Sequence, residues 1–144
     1  MRDMSNIVKS LDNALKRKEK LGWEKIYILV DIHDTIFKSC YDNEETYQMY
    51  PWAKAALQML SFREDICLIL WTSTYQNKID DYLKKLASMR IKFDMVNCNT
   101  EVSNTKLSCF DSKMYFNVGI DDKFGFDPDT DWKSIWNYLI GVVD

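Results

Sequence analysis

Residues 27–37 read Tyr-Ile-Leu-Val-Asp-Ile-His-Asp-Thr-Ile-Phe: an apolar run halts at Asp31, and His33, Asp34 and Thr35 follow at once. Two more polar groups end apolar runs in the same way. Thr72-Ser73-Thr74 follows Ile-Cys-Leu-Ile-Leu-Trp at 66–71, and Asp121-Asp122 follows Met-Tyr-Phe-Asn-Val-Gly-Ile at 114–120. If the three runs are neighbouring strands, carboxylates and a hydroxyl share one edge of a sheet, with a lysine as a further candidate. Hard oxygen donors of this kind suit Mg²⁺, which is held by one or two carboxylates together with waters and phosphate oxygens. Gathered carboxylates also repel one another, so a cation would relieve the site that collects them.

The elements that must position these groups are legible as alternating patterns. Met4, Ile7, Val8, Leu11 and Leu15 recur at helical spacing, giving an amphipathic helix within residues 1–22. The basic run 16–20 at its end reads as a solvated helix terminus beside the helix dipole. Ile26–Val30 has the continuous apolar look of a strand covered on both faces. Pro51 occupies what would be a first helical position, with Trp52, Ala55, Ala56, Met59 and Leu60 as the apolar face. Strand 66–71 follows, then a helix marked by Ile79, Tyr82, Leu83 and Leu86, a weaker strand at 93–97, a strand at 114–120, and a final helix over 131–140. Strands alternating with helices predict an α/β parallel sheet with helices on both faces, in one domain spanning 1–144. Ligands of open parallel sheets bind beyond the carboxyl ends of the strands, where the three polar groups lie.

Composition excludes several classes. The chain has 144 residues, 47% hydrophobic and 14% aromatic, with only 4 Gly and 2 Pro, so it is globular with little room for linkers. A formal net charge of −3 gives no pull towards nucleic acid or anionic lipid, although a nucleotide is compatible. No apolar stretch approaches the ~20 residues of a membrane span, and no signal-peptide pattern opens the chain. Cys40, Cys67, Cys98 and Cys109 show no CxxC spacing, so reduced thiols and a cytoplasmic location are expected.

Taken together and in order, these motifs resemble the haloacid dehalogenase-like superfamily of phosphatases and phosphotransferases. The resemblance runs over residues 25–127. Asp31-Ile32-His33-Asp34-Thr35 matches the first motif, Thr72 the second (Ser73 as fallback), Lys113 the third in preference to Lys106, and Asp121-Asp122 the fourth. It implies a three-layer Rossmann-like core and a phosphate monoester cleaved through an aspartyl-phosphate on Asp31. Mg²⁺ would be held by Asp31, the backbone carbonyl of His33, and Asp122, with Asp121 close by. Thr72 would donate to a phosphoryl oxygen and Lys113 would neutralise its charge, with Ser73, Asp34 and Thr35 as further phosphate contacts.

His33 departs from the pattern, since similar phosphatases carry an acid/base aspartate there. Imidazole, with an unperturbed pKa of ~6.5, can serve both steps; a filler in a degenerate site is the other reading. About 15 residues after Thr35 leave no space for a cap domain, so the resemblance implies a capless enzyme with an open site. Its substrate would be a small phosphorylated molecule or a phosphate on a macromolecule, and a second subunit could replace the lid. Tyr41, Tyr47 and Tyr50 populate that loop; Asp42, Glu44 and Glu45 disfavour polynucleotide. A non-catalytic phosphate-binding or protein-interaction module and a phosphotransferase are the alternative functions. Asp127, Asp129 and Asp131 start like a calcium loop, but Trp132 and Tyr138 stand at its glycine and glutamate positions. A turn with Asp131 as helix cap is expected instead.

Overall fold

The Ser5 hydroxyl accepts a hydrogen bond from the Val8 amide at 3.4 Å, filling a donor that the helix start leaves unpaired. Helix α1, Asn6–Leu21, then closes at Gly22, whose φ of 71° is the left-handed C-cap conformation that glycine adopts without strain. The computed structural model describes residues 4–39 and 47–141. Cys40, Tyr41, Asp42, Glu44 and Glu45 lie outside the described residues.

Four parallel strands follow the apolar runs: β1 (Ile26–Asp31), β2 (Ile66–Trp71), β3 (Met95–Val96) and β4 (Val118–Ile120), in the order β3-β2-β1-β4. The helices are α1, α2 (Ala53–Phe62), α3 (Gln76–Ser88) and α4 (Asp131–Leu139). The chain is thus α/β with a Rossmann-like parallel sheet, as its alternating pattern predicts.

Strand pleating sorts the core into two unequal halves. Ile26, Ile28 and Val30 of β1, Ile66, Leu68 and Leu70 of β2, and Val118 and Ile120 of β4 join one cluster with buried residues of all four helices. Tyr27, Leu29, Cys67 and Ile69 face the other way, against Met95, Val102, Met114, Tyr115 and Phe116. The expectation of helices on both faces is therefore corrected. Among the described residues every helix packs on one face, and the crossover 97–117 covers the other without a helix or strand. The helical face dominates the energetics: each fully buried Ile or Leu contributes about 1.5–3 kcal/mol, and truncating one such as Ile28 to alanine costs about 2–5 kcal/mol.

Side chains that imitate backbone explain why two expected strands are shorter. Asp94 donates its amide to the Leu68 carbonyl while its carboxylate accepts from the Leu68 amide. Asn97 makes the matching pair with the Leu70 carbonyl and the Thr72 amide, so regular pairing in β3 shrinks from 93–97 to two residues. At the start of β4, the Asn117 amide donates to the Tyr27 carbonyl and its side-chain oxygen accepts from the Tyr27 amide. Residues 114–117 consequently belong to the crossover.

Three smaller expectations are also corrected. The Tyr50 carbonyl accepts from the Ala53 amide, closing a turn that puts Trp52 at φ 68°, so α2 starts at Ala53 and Pro51 lies before it. Thr130, not Asp131, occupies the N-cap of α4; the Asp131 carboxylate accepts from the Asp127 amide at 2.8 Å. Asp127 likewise accepts from the Asp129 amide, so these acids serve their own turn. Within the basic run, Lys18 is buried and bridges Glu19 and Asp65. No helix among the described residues is long and apolar enough to cross a membrane.

Candidate active site

The turn after β1 is wound around one carbonyl. The amides of Ile36 and Phe37 both donate to the Ile32 oxygen, at 2.9 and 3.1 Å, and the Asp34 amide donates to the Phe37 carbonyl at 2.8 Å. Ile32, Ile36 and Phe37 are fully buried, anchoring the turn in the core. Asp34 takes φ 59°, a left-handed conformation that Asp tolerates better than most side chains.

This turn delivers Asp31 to the sheet edge beside the end of β4. One carboxylate oxygen from each of Asp31, Asp121 and Asp122 lies within 4.8 Å of the others. Thr35, completely buried, ties them together: its hydroxyl lies 3.2 Å from Asp31 Oδ2 and 3.3 Å from Asp122 Oδ1, and it accepts from the Asp122 amide. A hydroxyl has one proton, so it donates to only one carboxylate at a time. Trp132 of α4 holds Thr35 from behind, its indole N–H donating to the Thr35 carbonyl at 2.7 Å. Asp121 accepts from the Lys123 amide at 2.9 Å, forming the N-cap of the short 3₁₀ turn Asp122–Phe124.

The electrostatics are those of gathered carboxylates. Burial, and then the Asp121 charge, push Asp31 up to about 7, against hydrogen bonds from Ile32 and Thr35 that favour the carboxylate. Asp121 is raised as well, first by burial, with the Asp122 carboxylate adding to the effect and the Lys123 charge opposing it.

Thr72 stands at the neighbouring strand end, and its backbone is clamped by one side chain. Asn97 Oδ1 accepts from the Thr72 amide at 2.8 Å while Asn97 Nδ2 donates to the Thr72 carbonyl at 2.7 Å. The Thr72 hydroxyl pairs with that of Thr74 at 2.8 Å and accepts from the Thr74 amide. Ser73 is exposed.

Other expected residues are directed elsewhere. His33 Nε2 lies 2.9 Å from the Tyr82 hydroxyl of α3, and the two rings meet edge to face at 5.4 Å. Asp34 accepts from the Ser39 amide at 3.2 Å and raises the Tyr50 hydroxyl pKa, for which burial is the larger cause. The structure therefore gives Asp34 a turn-closing role. Lys113 is exposed and lines a cavity of about 370 Å³ with Ser108, Cys109, Phe110, Met114, Tyr115 and Phe116; none of the acidic residues lines it. The cation whose charge reaches Asp121 is Lys123. Tyr47 packs on Phe37 and Tyr82, and Lys38 lies over Tyr50, so both described loop tyrosines engage the protein's own surface. Cys67 is buried, its thiol pushed up to about 12 chiefly by burial, and Cys98 and Cys109 are exposed; all three are unpaired.

Sequence reasoning missed Asn97, Tyr82, Trp132 and Lys123. An Asn directly after a strand was a readable signal for the first, and a Lys beside the acidic pair for the last. The other two come from helices distant in sequence, with no local signature.

No family model matches the chain, and no curated protein matches it. A solved structure, described as a conserved protein coded by a locus from Bacteroides thetaiotaomicron, is similar with a TM-score of 0.63 and 24% identity. The match covers 81% of this chain and 91% of that one, and the likeness is one of fold.

Proposed function

We propose that the chain is a Mg²⁺-dependent phosphomonoesterase of the haloacid dehalogenase-like type, capless, with Asp31 as nucleophile. The carrying observation is the convergence of Asp31, Asp121 and Asp122 oxygens within 4.8 Å on the edge where the parallel strands end. Oxygens bound to one Mg²⁺ at about 2.1 Å lie within roughly 4.2 Å of one another, so a small inward adjustment lets these carboxylates share an ion. The raised Asp31 and Asp121 supply the electrostatic reason for one. Asp31, Asp122 and the His33 carbonyl would hold the ion with Asp121 alongside. When bound, it would screen the nucleophile from the phosphate charge and act as Lewis acid.

In the proposed reaction, one Asp31 oxygen attacks phosphorus as the bond to the ester oxygen breaks, and the leaving oxygen takes up a proton to depart as an alcohol. Water then attacks the phosphorus and gives up a proton, the Asp31–phosphorus bond breaks, and inorganic phosphate leaves with the carboxylate restored. Thr72, its backbone held by Asn97, would exchange its Thr74 hydroxyl partner for a phosphoryl oxygen, and Lys123, whose charge reaches Asp121, would supply positive charge. His33, engaged through Nε2 with Tyr82, has Nδ1 as the nitrogen available for the leaving oxygen and the water. That anchoring also favours a second reading, a phosphotransferase whose aspartyl-phosphate is long-lived because His33 activates water slowly.

Hydrolysis of an aryl phosphate with and without Mg²⁺, by wild type, Asp31→Asn and His33→Asp, tests the proposal. Metal-dependent turnover abolished by Asp31→Asn is expected. No turnover together with no Mg²⁺ binding overturns the enzyme reading, and turnover surviving Asp31→Asn overturns the mechanism. A burst of alcohol ahead of the steady state supports the phosphotransferase.

A further inference from the structure

Trp71 and Tyr75 flank Thr72–Thr74 in the chain, and both residues are exposed, at 38% and 83%. Every other Trp and Tyr among the described residues has a ring, cation or hydrogen-bond partner. Trp132 and Tyr138 are bonded to Thr35 and Asp12, for example, and Trp52 lies against Trp136. Trp71 and Tyr75 have neither ring nor cation partner among the described residues. Exposed aromatic surface of this kind contributes little to the core and is available to a ligand.

Their position is set by the sheet. Trp71 is the register partner of Asp31 in the parallel β1–β2 pair. Partners in register leave their strands on the same face, about 4.8 Å apart, so Trp71 and Asp31 share one side of the sheet at its carboxyl edge. Tyr75 follows the hydroxyl loop as the residue before α3. A phosphoryl group at Asp31 and Thr72 would carry its leaving group out past these two rings.

We infer that Trp71 and Tyr75 hold a flat ring of the leaving group, so that the substrate is a small phosphomonoester bearing a planar aromatic system. This rests on the phosphatase reading for its chemistry. The ring is either the nucleobase of a mononucleotide or the aryl group of an aryl phosphate. Stacking accepts both, because each presents a π-face to the indole and the phenol.

The test compares kcat/KM with Mg²⁺ for adenosine 5′-monophosphate against ribose 5-phosphate, and for phenyl phosphate against glycerol 3-phosphate, in wild type, Tyr75→Ala, Trp71→Ala and Trp71→Phe. Tyr75→Ala alters an exposed side chain, so an unchanged circular dichroism spectrum is expected. The quantity read is each ratio's change on mutation, because phenol is intrinsically the better leaving group. If the ring is a nucleobase, the first ratio falls about tenfold to a hundredfold in Tyr75→Ala and Trp71→Ala. If it is aryl, the second falls by more than the first. In either case Trp71→Phe recovers part of the loss. Ratios unchanged in both alanine variants overturn the inference. Should the wild type hydrolyse none of the four, the phosphatase reading fails, and calorimetry of adenosine monophosphate and phenyl phosphate decides the ring site alone. Binding weakened by Tyr75→Ala sustains it, and absent or equal binding overturns it.

Discussion

Asp65 and Asp31 are acids at opposite ends of neighbouring strands, and they sit in opposite electrostatic states. Asp65, just before β2, is gripped by the Arg63 guanidinium through two 2.8 Å hydrogen bonds and by Lys18 at 3.1 Å. These partners, Arg63 foremost, pull it down to about 2 against the opposing effect of burial. Asp31, ending β1, is pushed up to about 7 by burial and by its acidic neighbour. One carboxylate is paired with cations of the protein; the other stands among acids. Gathered, raised carboxylates of this kind are the feature on which the proposed cation site rests.

The largest expected effect comes from breaking the unpaired side of this contrast. Asp31→Asn is expected to lower Mg²⁺-dependent phosphatase turnover by roughly 10³-fold or more, as loss of a nucleophile does, in steady-state assays. The same substitution removes a repelled, buried charge, so its thermal midpoint without metal is expected at or above the wild type's.

The two acids should also respond oppositely to pH. Asp31 keeps its proton in the folded state up to about 7 but loses it near 4 when unfolded. In chelator-treated protein its contribution therefore falls as pH rises from about 4 to 7, by at most about 4 kcal/mol. Asp65 has a depressed folded pKa, so its contribution is full above about 4 and is lost as pH falls towards 2. Denaturant melts of wild type, Asp31→Asn and Asp65→Asn across pH 3–8 should show the Asp31 slope vanish in the first variant and the Asp65 slope in the second.

Breaking the paired side is expected to cost stability and leave chemistry intact. Asp65→Asn strands partly buried Arg63 and leaves Lys18 only Glu19, a loss of about 1–3 kcal/mol at pH 7, with turnover per folded molecule unchanged. Asn97→Ala is the smallest change: it frees the Thr72 backbone at an exposed edge. About a tenfold fall in kcat/KM is expected, with a stability change of about 1 kcal/mol or less.

Much of this contrast was legible in the sequence because it lies where periodicity breaks. β2 matches its apolar run end to end, β1 exceeds its own by one residue, and Asp31, Thr72 and Asp121 each follow or end a strand. Parallel topology does the rest, carrying strand ends far apart in sequence to one edge. What escaped the sequence is decided by single side chains acting as backbone or reaching across the fold. Asp94, Asn97 and Asn117 cut strands short by taking over ladder hydrogen bonds, which a propensity pattern cannot register. Tyr82 and Trp132 bind the site loop from helices 49 and 97 residues away in sequence. The helix-free face was hidden because the apolar residues of the crossover, Met114, Tyr115 and Phe116, imitate a strand while serving only as cover.

Mg²⁺ binding tests most directly whether the acidic edge is a cation site. Calorimetric titration of metal-free protein at pH 8 is expected to give saturable binding in wild type and in Asp65→Asn, lost in Asp31→Asn and in Asp122→Asn. Equal binding by all four proteins, or none by the wild type, would contradict the account.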